Sequence, residues 1–280
     1  MRFAYLIIAH NEFEILRLLV SKLDDSKNDI YIHFDKKVRT LPEIHTQHSK
    51  LYILDKRVDV RWGHVSQIKC EYRLWEEAVK NGPYDYYVLL SGTHLPLKPL
   101  SEIEDFYERR KEHNILPFFM MADGYQNVLK LNRYNFFLRN YAYGPEFKKM
   151  ISQKMWHLCV LVQEKLKIFR NRSTTFYWSS NWVSLTQEVV EYMLKIKRQV
   201  YSKYCFTFCA DEWFVATEIF NSPYKESIDR AEHFMKFQII ASNAKVYSMD
   251  DYEEILASGC LFARKFSMSN RELVEKICQG

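Results

Sequence analysis

The sequence predicts an α/β fold with a mostly parallel central sheet flanked by helices. Over the first 120 residues, short apolar runs of strand length alternate with stretches whose apolar residues recur at helical spacing. Residues 3–9 (FAYLIIA) are continuously apolar, as expected for a parallel strand that is covered on both faces. The chain has 280 residues, of which 48% are hydrophobic, and this is enough to bury a substantial core.

The elements of this half follow one another in a regular order. Strands are predicted at residues 3–9, 29–34, 51–54, 84–90 and 114–120. Helices are predicted after Asn11 and after Ser101, which we take as N-caps, and over residues 65–80. Because each helix joins two apolar strands, the strands are expected to run parallel.

Polar residues follow several of these strands directly. His10 and Asn11 follow the first strand, Asp35 follows the second, and residues 91–94 (SGTH) follow the fourth. In parallel sheets, ligands bind at the carboxyl ends of the strands, near a switch in strand order. The pattern therefore predicts a nucleotide site at this edge.

From about residue 121 the sequence becomes helical and more basic. Residues 146–169 carry an apolar stripe at helical spacing, with lysines elsewhere on the helix. The stripe is compatible with a helix packed on the core and with a helix docked on an anionic membrane or a lipid-linked acceptor. With no linker or repeat in view, we predict one domain, residues 1–280, with a helical insertion at 121–175 between an α/β half (1–120) and a second half (176–280).

Composition excludes several classes of protein. The net charge of +5 suits an anionic ligand or an anionic membrane surface, but it is too small and dispersed for nucleic acid. The six cysteines form no CxxC pair and have no zinc-ligand spacing with histidine. Residues 1–12 do not resemble a signal peptide, and no apolar stretch has the length of a membrane span. We therefore expect a cytoplasmic protein that can lie peripherally at the inner face of a membrane.

Seven segments together resemble the core-2/I-branching N-acetylglucosaminyltransferase family, which includes the peptide xylosyltransferases. They occur in the family's order along the chain and leave a gap at about residues 120–170. They are AYLIIAH (4–10), IHFD (32–35), VRWGHVSQIK (60–69), YDYYVLLSGTHLPLK (84–98), YWSSNWVSLTQEVVEYML (177–194), CADEWFVAT (209–217) and LFARKF (261–266). The resemblance implies a GT-A-like fold, transfer from a UDP-sugar with inversion, and no requirement for a metal cofactor.

The resemblance assigns the catalytic base to Glu212, the glutamate of the CADE segment. Inverting transfer needs one base to take the proton of the attacking hydroxyl, and a carboxylate suits this task. Asp211 and Glu212 are predicted to open a helix over residues 212–220, so a capping role is the alternative interpretation.

The departing diphosphate needs positive charge, and no DxD motif is present to hold a metal ion there. Lys265 and Arg264 match the family's C-terminal basic motif. Lys236 is the weaker match to a second basic position, with Arg230 as the alternative. A basic pair on the solvated surface is the alternative for these residues.

The remaining assignments also rest on the resemblance. The nucleoside contacts would come from His10, Asp35, Arg61 and Gly63, although a buried structural histidine and a turn-initiating aspartate are alternatives for the first two. The acceptor contacts would come from Trp178, Ser179, Trp182, Asp211 and His94, with core packing as the alternative for both tryptophans. His94 departs from the family, which usually has Asp at this position.

We therefore predict a metal-independent inverting glycosyltransferase without a resident cofactor. N-acetylglucosamine is the expected sugar, UDP-xylose or another UDP-sugar is the alternative, and the acceptor is a glycan or a lipid-linked glycan of the cell surface, such as lipopolysaccharide or capsule. A non-catalytic nucleotide-sugar-binding or glycan-binding protein is the rival. A hydrolase would need a second carboxylate across the bond, which Asp211, adjacent to Glu212, does not readily supply.

Overall fold

The computed structural model describes residues 1–122, 124–240 and 243–279. In these ranges the strands are β1 Phe3–Ala9, β2 Asn28–Phe34, β3 Lys50–Ile53, β4 Tyr86–Ser91, β5 Leu95–Pro96, β6 Asn114–Ile115, β7 Met120–Met121, β8 Tyr177–Trp178, β9 Ser184–Thr186, β10 Ile228–Asp229, β11 Met235–Lys236, β12 Ile239–Ile240, β13 Asn243–Ala244 and β14 Phe262–Ala263. The α-helices are α1 Phe13–Leu23, α2 Ser66–Asn81, α3 Leu100–Glu108, α4 Tyr125–Asn132, α5 Glu146–Lys165, α6 Gln187–Lys195, α7 Lys197–Tyr204, α8 Phe214–Phe220, α9 Tyr252–Ala257 and α10 Arg271–Gln279.

The largest sheet has the strand order β10-β6-β9-β4-β1-β2-β3. Its neighbouring strands are parallel except at β9, which runs antiparallel to both β4 and β6. Strands β2 and β4 are buried throughout, and β1 is buried except at Ile8, because helices pack against the sheet. The predicted α/β class with a mostly parallel central sheet is confirmed.

The sheet order switches direction at its centre. From β1 the chain moves outward through β2 to β3, and it then crosses to β4 on the other side of β1. A crevice therefore opens at the carboxyl ends of β1 and β4, where Ala9 leads into His10 and Ser91 leads into Gly92.

The fifth predicted strand is wrong over most of its length. Residues 114–120 form β6 and the start of β7, with an irregular stretch between them. Pro117 cannot donate a ladder hydrogen bond, and Phe118 adopts a left-handed backbone with φ 61°, so the chain turns there.

Three helix starts also differ from the prediction. The N-cap of α1 is Glu12, whose carboxylate instead accepts hydrogen bonds from Ser267 Oγ and Met268 N. Helix α3 begins at Leu100 after Pro99, so Ser101 lies inside its first turn. The helix expected from residue 212 is preceded by a 3-10 turn, Ala210–Glu212, and begins only at Phe214.

Helix α5 carries its apolar stripe on the solvent side. We call the following exposed residues the α5 surface: Phe147, Met150, Ile151, Met155, Leu158, Leu161, Val162 and Leu166. The buried residues of the helix are Ser152, Val160 and Gln163. Of the two interpretations of this stripe, packing on the core is therefore wrong.

Candidate active site

A cleft of about 640 Å³ lies at the carboxyl ends of the central strands. His10 and Asn11 line it from the end of β1, Asp35 from the end of β2, and Ser91 from the end of β4. Its other walls come from residues 60–62, 142–143, 180–182 and 264–265, which are far apart in the sequence.

Glu212 lies in the 3-10 turn Ala210–Glu212 and is half-buried in the cleft wall. The turn follows Cys209, whose left-handed backbone (φ 53°) reverses the chain. The indole Nε1 of Trp178 donates to Glu212 Oε2 at 3.1 Å, and the backbone N–H of Ser179 donates to the Glu212 carbonyl at 3.0 Å. The carboxylate is therefore held from one side, and its other oxygen can face a substrate.

Two further carboxyl groups line the cleft, Asp211 beside Glu212 and Glu71 near Asp211. Asp211 is buried, and its Oδ2 accepts from Gln67 Nε2 at 2.5 Å, whereas Oδ1 has no hydrogen-bond partner among the described residues. Burial, and secondarily the charge of Glu212, raise the pKa of Asp211 to about 8. Glu71 also lines the cleft, is only 1% exposed, and within residues 1–122, 124–240 and 243–279 neither of its carboxyl oxygens has a partner.

Burial, and then the charge of Asp211, raise the pKa of Glu71 well above its ordinary value. Glu71 was missed in the sequence. Gln67 and Glu71 are four residues apart on α2, so they lie on one face of the helix, and that face reaches the cleft.

Another part of the cleft lining is basic. Lys265 follows β14 and lines the cleft, and none of the described carboxylates lies within ion-pair distance of its ammonium. Arg264 stacks over the ring of Trp182, with 4.7 Å between its guanidinium carbon and the ring centroid. Burial lowers the pKa of Arg264 to about 10, and its Nε has no partner in the described part of the chain. Both side chains remain available to an anion.

Two of the predicted nucleoside residues, Asp35 and Arg61, belong to a linked polar network. Lys37 Nζ contacts Asp35 Oδ2 at 2.5 Å and Asp59 Oδ1 at 3.2 Å, and Arg61 donates to Asp59 Oδ2 at 2.8 Å. The guanidinium of Arg61 lies 4.0 Å from the ring centroid of Tyr143, which forms part of the cleft rim. Lys37 and Tyr143 are additional lining residues that sequence reasoning missed.

His10 reaches solvent through the open cleft. Its pKa is lowered, first because the cleft walls desolvate the imidazole and then because the ammonium of Lys265 repels its proton, while Asp35 acts in the opposite direction. Lys265 therefore disfavours the protonated form of the His10 imidazole, and Asp35 favours it.

Four predicted residues do not line the cleft. Lys236 pairs with Glu254 at 2.7 Å, and Ser179 is buried with its hydroxyl on the carbonyl of Ser180. Gly63 is also buried: its N–H donates to Gln67 Oε1 at 2.6 Å, and its φ of +71° suits glycine.

His94, the fourth of these residues, is fully buried beneath the cleft. Its Nδ1 accepts from Ser91 N at 2.9 Å, and its ring packs edge-on against Trp182 with the centroids 5.0 Å apart. Burial lowers the pKa of His94 far below its ordinary value, so the ring is neutral. His94 therefore supports the wall residue Trp182 from behind and does not reach the cavity.

The predicted residues that do line the cleft come from all parts of the chain. They are His10, Asp35, Arg61, Trp178, Trp182, Asp211, Glu212, Arg264 and Lys265. Among the described residues, no group of three or more His, Cys, Asp or Glu side chains is arranged to hold a metal ion. None of the helices in those residues is both long and apolar enough to cross a bilayer.

Comparison with known proteins places these residues in context. A family model described as "Core-2/I-Branching enzyme" matches residues 3–255, which include Asp211 and Glu212 but end before Arg264 and Lys265. Xylosyltransferase 2 of Canis lupus familiaris is 23% identical over 238 residues, covering 81% of this chain and 25% of that protein. Xylosyltransferase 2 of Bos taurus is 22% identical over 309 residues, covering 99% of this chain and 33% of that protein. The chain thus spans a quarter to a third of the length of these relatives.

Similar solved structures include the apo form of mouse xyloside xylosyltransferase 1. It has a TM-score of 0.39 and 10% sequence identity, and the match covers 94% of this chain and 97% of that one. TarS of S. aureus has a TM-score of 0.27 and 11% identity, and the match covers 48% of this chain and 25% of that one.

Proposed function

The chain belongs to the core-2/I-branching enzyme family of glycosyltransferases, and on this premise we propose that it transfers one sugar from a UDP-sugar to a hydroxyl of a glycan acceptor. The transfer inverts the anomeric centre on a GT-A-like fold and needs no metal ion. N-acetylglucosamine is the first candidate sugar, and xylose or another sugar carried by UDP is the alternative. The acceptor is a glycan or a lipid-linked glycan of the cell surface, used at the cytoplasmic face of a membrane.

One observation carries this proposal: Glu212 and Lys265, far apart in the sequence, line a single cleft. Inverting transfer needs a base on the acceptor side of the anomeric carbon and positive charge on the leaving-group side. The cleft offers a carboxylate held by Trp178 at one wall and the Arg264–Lys265 pair at another.

In the reaction we propose, the acceptor oxygen attacks the anomeric carbon while Glu212 takes its proton. The bond between the anomeric carbon and the diphosphate oxygen breaks, and both bonding electrons leave with UDP. Lys265 and Arg264 stabilise the negative charge that develops on the diphosphate. Asp35, Arg61 and His10 contact the nucleoside at the strand ends.

The remaining wall residues position the acceptor. Trp178, half-buried in the cleft wall, presents aromatic surface to a sugar ring, whereas Trp182 is buried under the guanidinium of Arg264 and supports that side chain. Asp211 offers the unpartnered oxygen Oδ1 beside the base. A bound sugar hydroxyl would satisfy that oxygen.

The test combines a donor screen with Glu212→Gln. We expect UDP release from one UDP-sugar with a saccharide acceptor, unchanged by EDTA, and an inverted product by NMR. Glu212→Gln should keep the dissociation constant for the donor and lose about 10²–10⁴-fold in turnover, because it cannot accept the proton. Glu226→Gln, the same change at an exposed position, is the control.

Turnover of Glu212→Gln at the wild-type rate would remove this residue from the mechanism, and loss of activity in EDTA would refute the metal-independent reaction. UDP-sugar binding without release of UDP, across all acceptors tried, would favour the rival function of a non-catalytic binding protein.

A further inference from the structure

Helix α5 is fixed to the rest of the molecule through polar side chains. Gln163 accepts from Tyr134 N at 2.8 Å and donates to the Tyr134 carbonyl at 3.0 Å. Trp156 Nε1 donates to Asn135 Oδ1 at 2.8 Å, and Ser152 Oγ donates to the carbonyl of Phe137. Because these bonds span the helix, its rotation is set, and the outward direction of the apolar stripe is part of the fold.

The α5 surface is large and continuous along the helix. At 3.6 residues per turn, its residues fall within an arc of about 160°, and a helix of 20 residues is about 30 Å long. Phe147 is 66% exposed and Leu166 is 63% exposed, at opposite ends of the stripe. An exposed apolar surface of this extent marks an interaction site.

The charge around this surface is strongly positive. Residues 138–172 contain eight Lys or Arg and two Glu, a net charge of +6, whereas the whole chain has +5. The rest of the chain therefore has a charge near −1. An anionic surface would therefore be attracted mainly to this segment, because the remainder of the molecule has almost no net charge.

The positions of the lysines distinguish a bilayer from a protein partner. On the helical wheel, Lys154 and Lys165 lie inside the apolar arc, and both are exposed. Lysine is depleted in the core of protein–protein interfaces. At a lipid surface, however, its stem packs beside apolar neighbours while the ammonium reaches the headgroups. Glu146 and Glu164 lie together outside the arc.

The α5 surface is joined closely to the cleft. Ala142 and Tyr143 line the cleft, and α5 begins three residues later at Glu146. Arg139, in the turn before them, pairs with Asp59 of the nucleoside network at 2.8 Å. A surface that docks through α5 would therefore lie beside the rim of the cleft.

We propose that the α5 surface binds peripherally to an anionic lipid bilayer, with the apolar stripe in the interface and the lysines at the headgroups. Combined with the proposed function, on which this part rests, the docking brings the cleft rim to a lipid-linked acceptor. The binding itself is independent of catalysis and can be measured without any substrate.

The experiment is flotation of the full chain with vesicles, at low and high salt. Vesicles of equimolar phosphatidylglycerol and phosphatidylcholine should carry the protein, and vesicles of phosphatidylcholine alone should carry much less. Leu158→Glu/Leu166→Glu should weaken the partition by about a hundredfold, since each buried leucine is worth at least about tenfold. Lys154→Gln/Lys165→Gln should cost about fivefold per charge on the anionic vesicles only.

Leu256→Glu is the matched control, because Leu256 is a 46% exposed leucine on another helix, α9. It should float like the wild type, and all variants should keep the wild-type circular dichroism spectrum. Transfer to a soluble saccharide acceptor should be unchanged in Leu158→Glu/Leu166→Glu, whereas transfer to a lipid-linked acceptor in vesicles should fall.

The proposal would be overturned if the wild type did not float with anionic vesicles at low salt, or if Leu256→Glu lost as much vesicle binding as Leu158→Glu/Leu166→Glu. It would also be overturned if the wild type did not bind vesicles but sedimented as a dimer that Leu158→Glu/Leu166→Glu converts to a monomer. The last result would assign the surface to a second copy of the chain. Flotation without any sugar transfer would refute the proposed function but would still support membrane binding by the α5 surface.

Discussion

Asp211→Asn is expected to make the protein more stable at neutral pH, although Asp211 lies in the proposed active site. Asp211 is buried, one of its oxygens has no partner in the described residues, and its pKa is raised to about 8, first by burial and then by Glu212. Asparagine has nearly the same shape and can still accept the hydrogen bond from Gln67. The substitution therefore removes a buried charge and keeps the contact.

The magnitude follows from the two pKa values. The folded protein binds the Asp211 proton more tightly than the unfolded chain, where the pKa is 3.8. The stability contributed by this proton is fully present below about pH 4 and is lost as the pH rises toward 8. Each pH unit in this window costs the wild type about 1.4 kcal/mol. Near neutral pH, Asp211→Asn should thus exceed the wild type in free energy of unfolding by at most about 4 kcal/mol.

The assay is urea unfolding of both proteins at intervals from about pH 5 to pH 9, with Asp250→Asn as the control at an exposed aspartate. The difference in unfolding free energy between Asp211→Asn and the wild type cancels the titration of histidines common to both. It should grow with pH and level off near pH 8. A constant difference, or one that shrinks as the pH rises, would refute the buried, protonated state of Asp211.

Two further substitutions test the basic wall and the loop beneath the cleft. Lys265→Ala should weaken UDP binding about 10–100-fold by calorimetry and leave uridine binding unchanged, because the lost contact is charge-assisted. Lys236→Ala, outside the cleft, is the control. Equal effects of Lys265→Ala on UDP and uridine binding would argue against a diphosphate contact. A left-handed backbone costs a non-glycine residue about 1–3 kcal/mol, and Gly63→Ala should destabilise the fold by more than this, since a Cβ there would lie 2.2 Å from Phe208. Gly259→Ala is the control, because Gly259 has a similar φ (+63°) and the nearest atom to its Cβ would be 3.6 Å away. Equal losses of unfolding free energy in the two variants would exclude the clash.

The sequence predicts the sheet well because burial on both faces leaves an unambiguous signal. The observed β1 coincides with the predicted 3–9, and β2, β3 and β4 lie within two residues of their predicted bounds. The prediction failed where local geometry competes with pattern. Pro117 and Phe118 interrupt the expected fifth strand, and Glu12, in a left-handed conformation, takes the N-cap position expected of Asn11.

The candidate site could be predicted only in part. The strand-end residues His10 and Asp35 follow from the parallel sheet, since the carboxyl ends of its strands meet at one edge. The meeting of Glu212 with Lys265 could be anticipated only from the family resemblance, because the local residues are equally compatible with a helix cap and a surface pair. Glu71 has no signal of its own, since its position on α2 fits an exposed glutamate as well as a buried one.

Helix α5 shows why apolar periodicity alone cannot assign the inside of a protein. A stripe at helical spacing indicates that one face of the helix is apolar, but it does not indicate whether protein or another apolar phase covers that face. The polar residues of the helix indicate which face is buried. Ser152 and Gln163 are uncharged groups that can satisfy backbone donors and acceptors in a buried contact, and both do so here. Lys154 and Lys165, which could not be buried without partners, lie within the apolar arc and not elsewhere on the helix as predicted. A helix that packed its stripe on the core would have to bury Lys154 and Lys165, so their positions already favour the outward orientation.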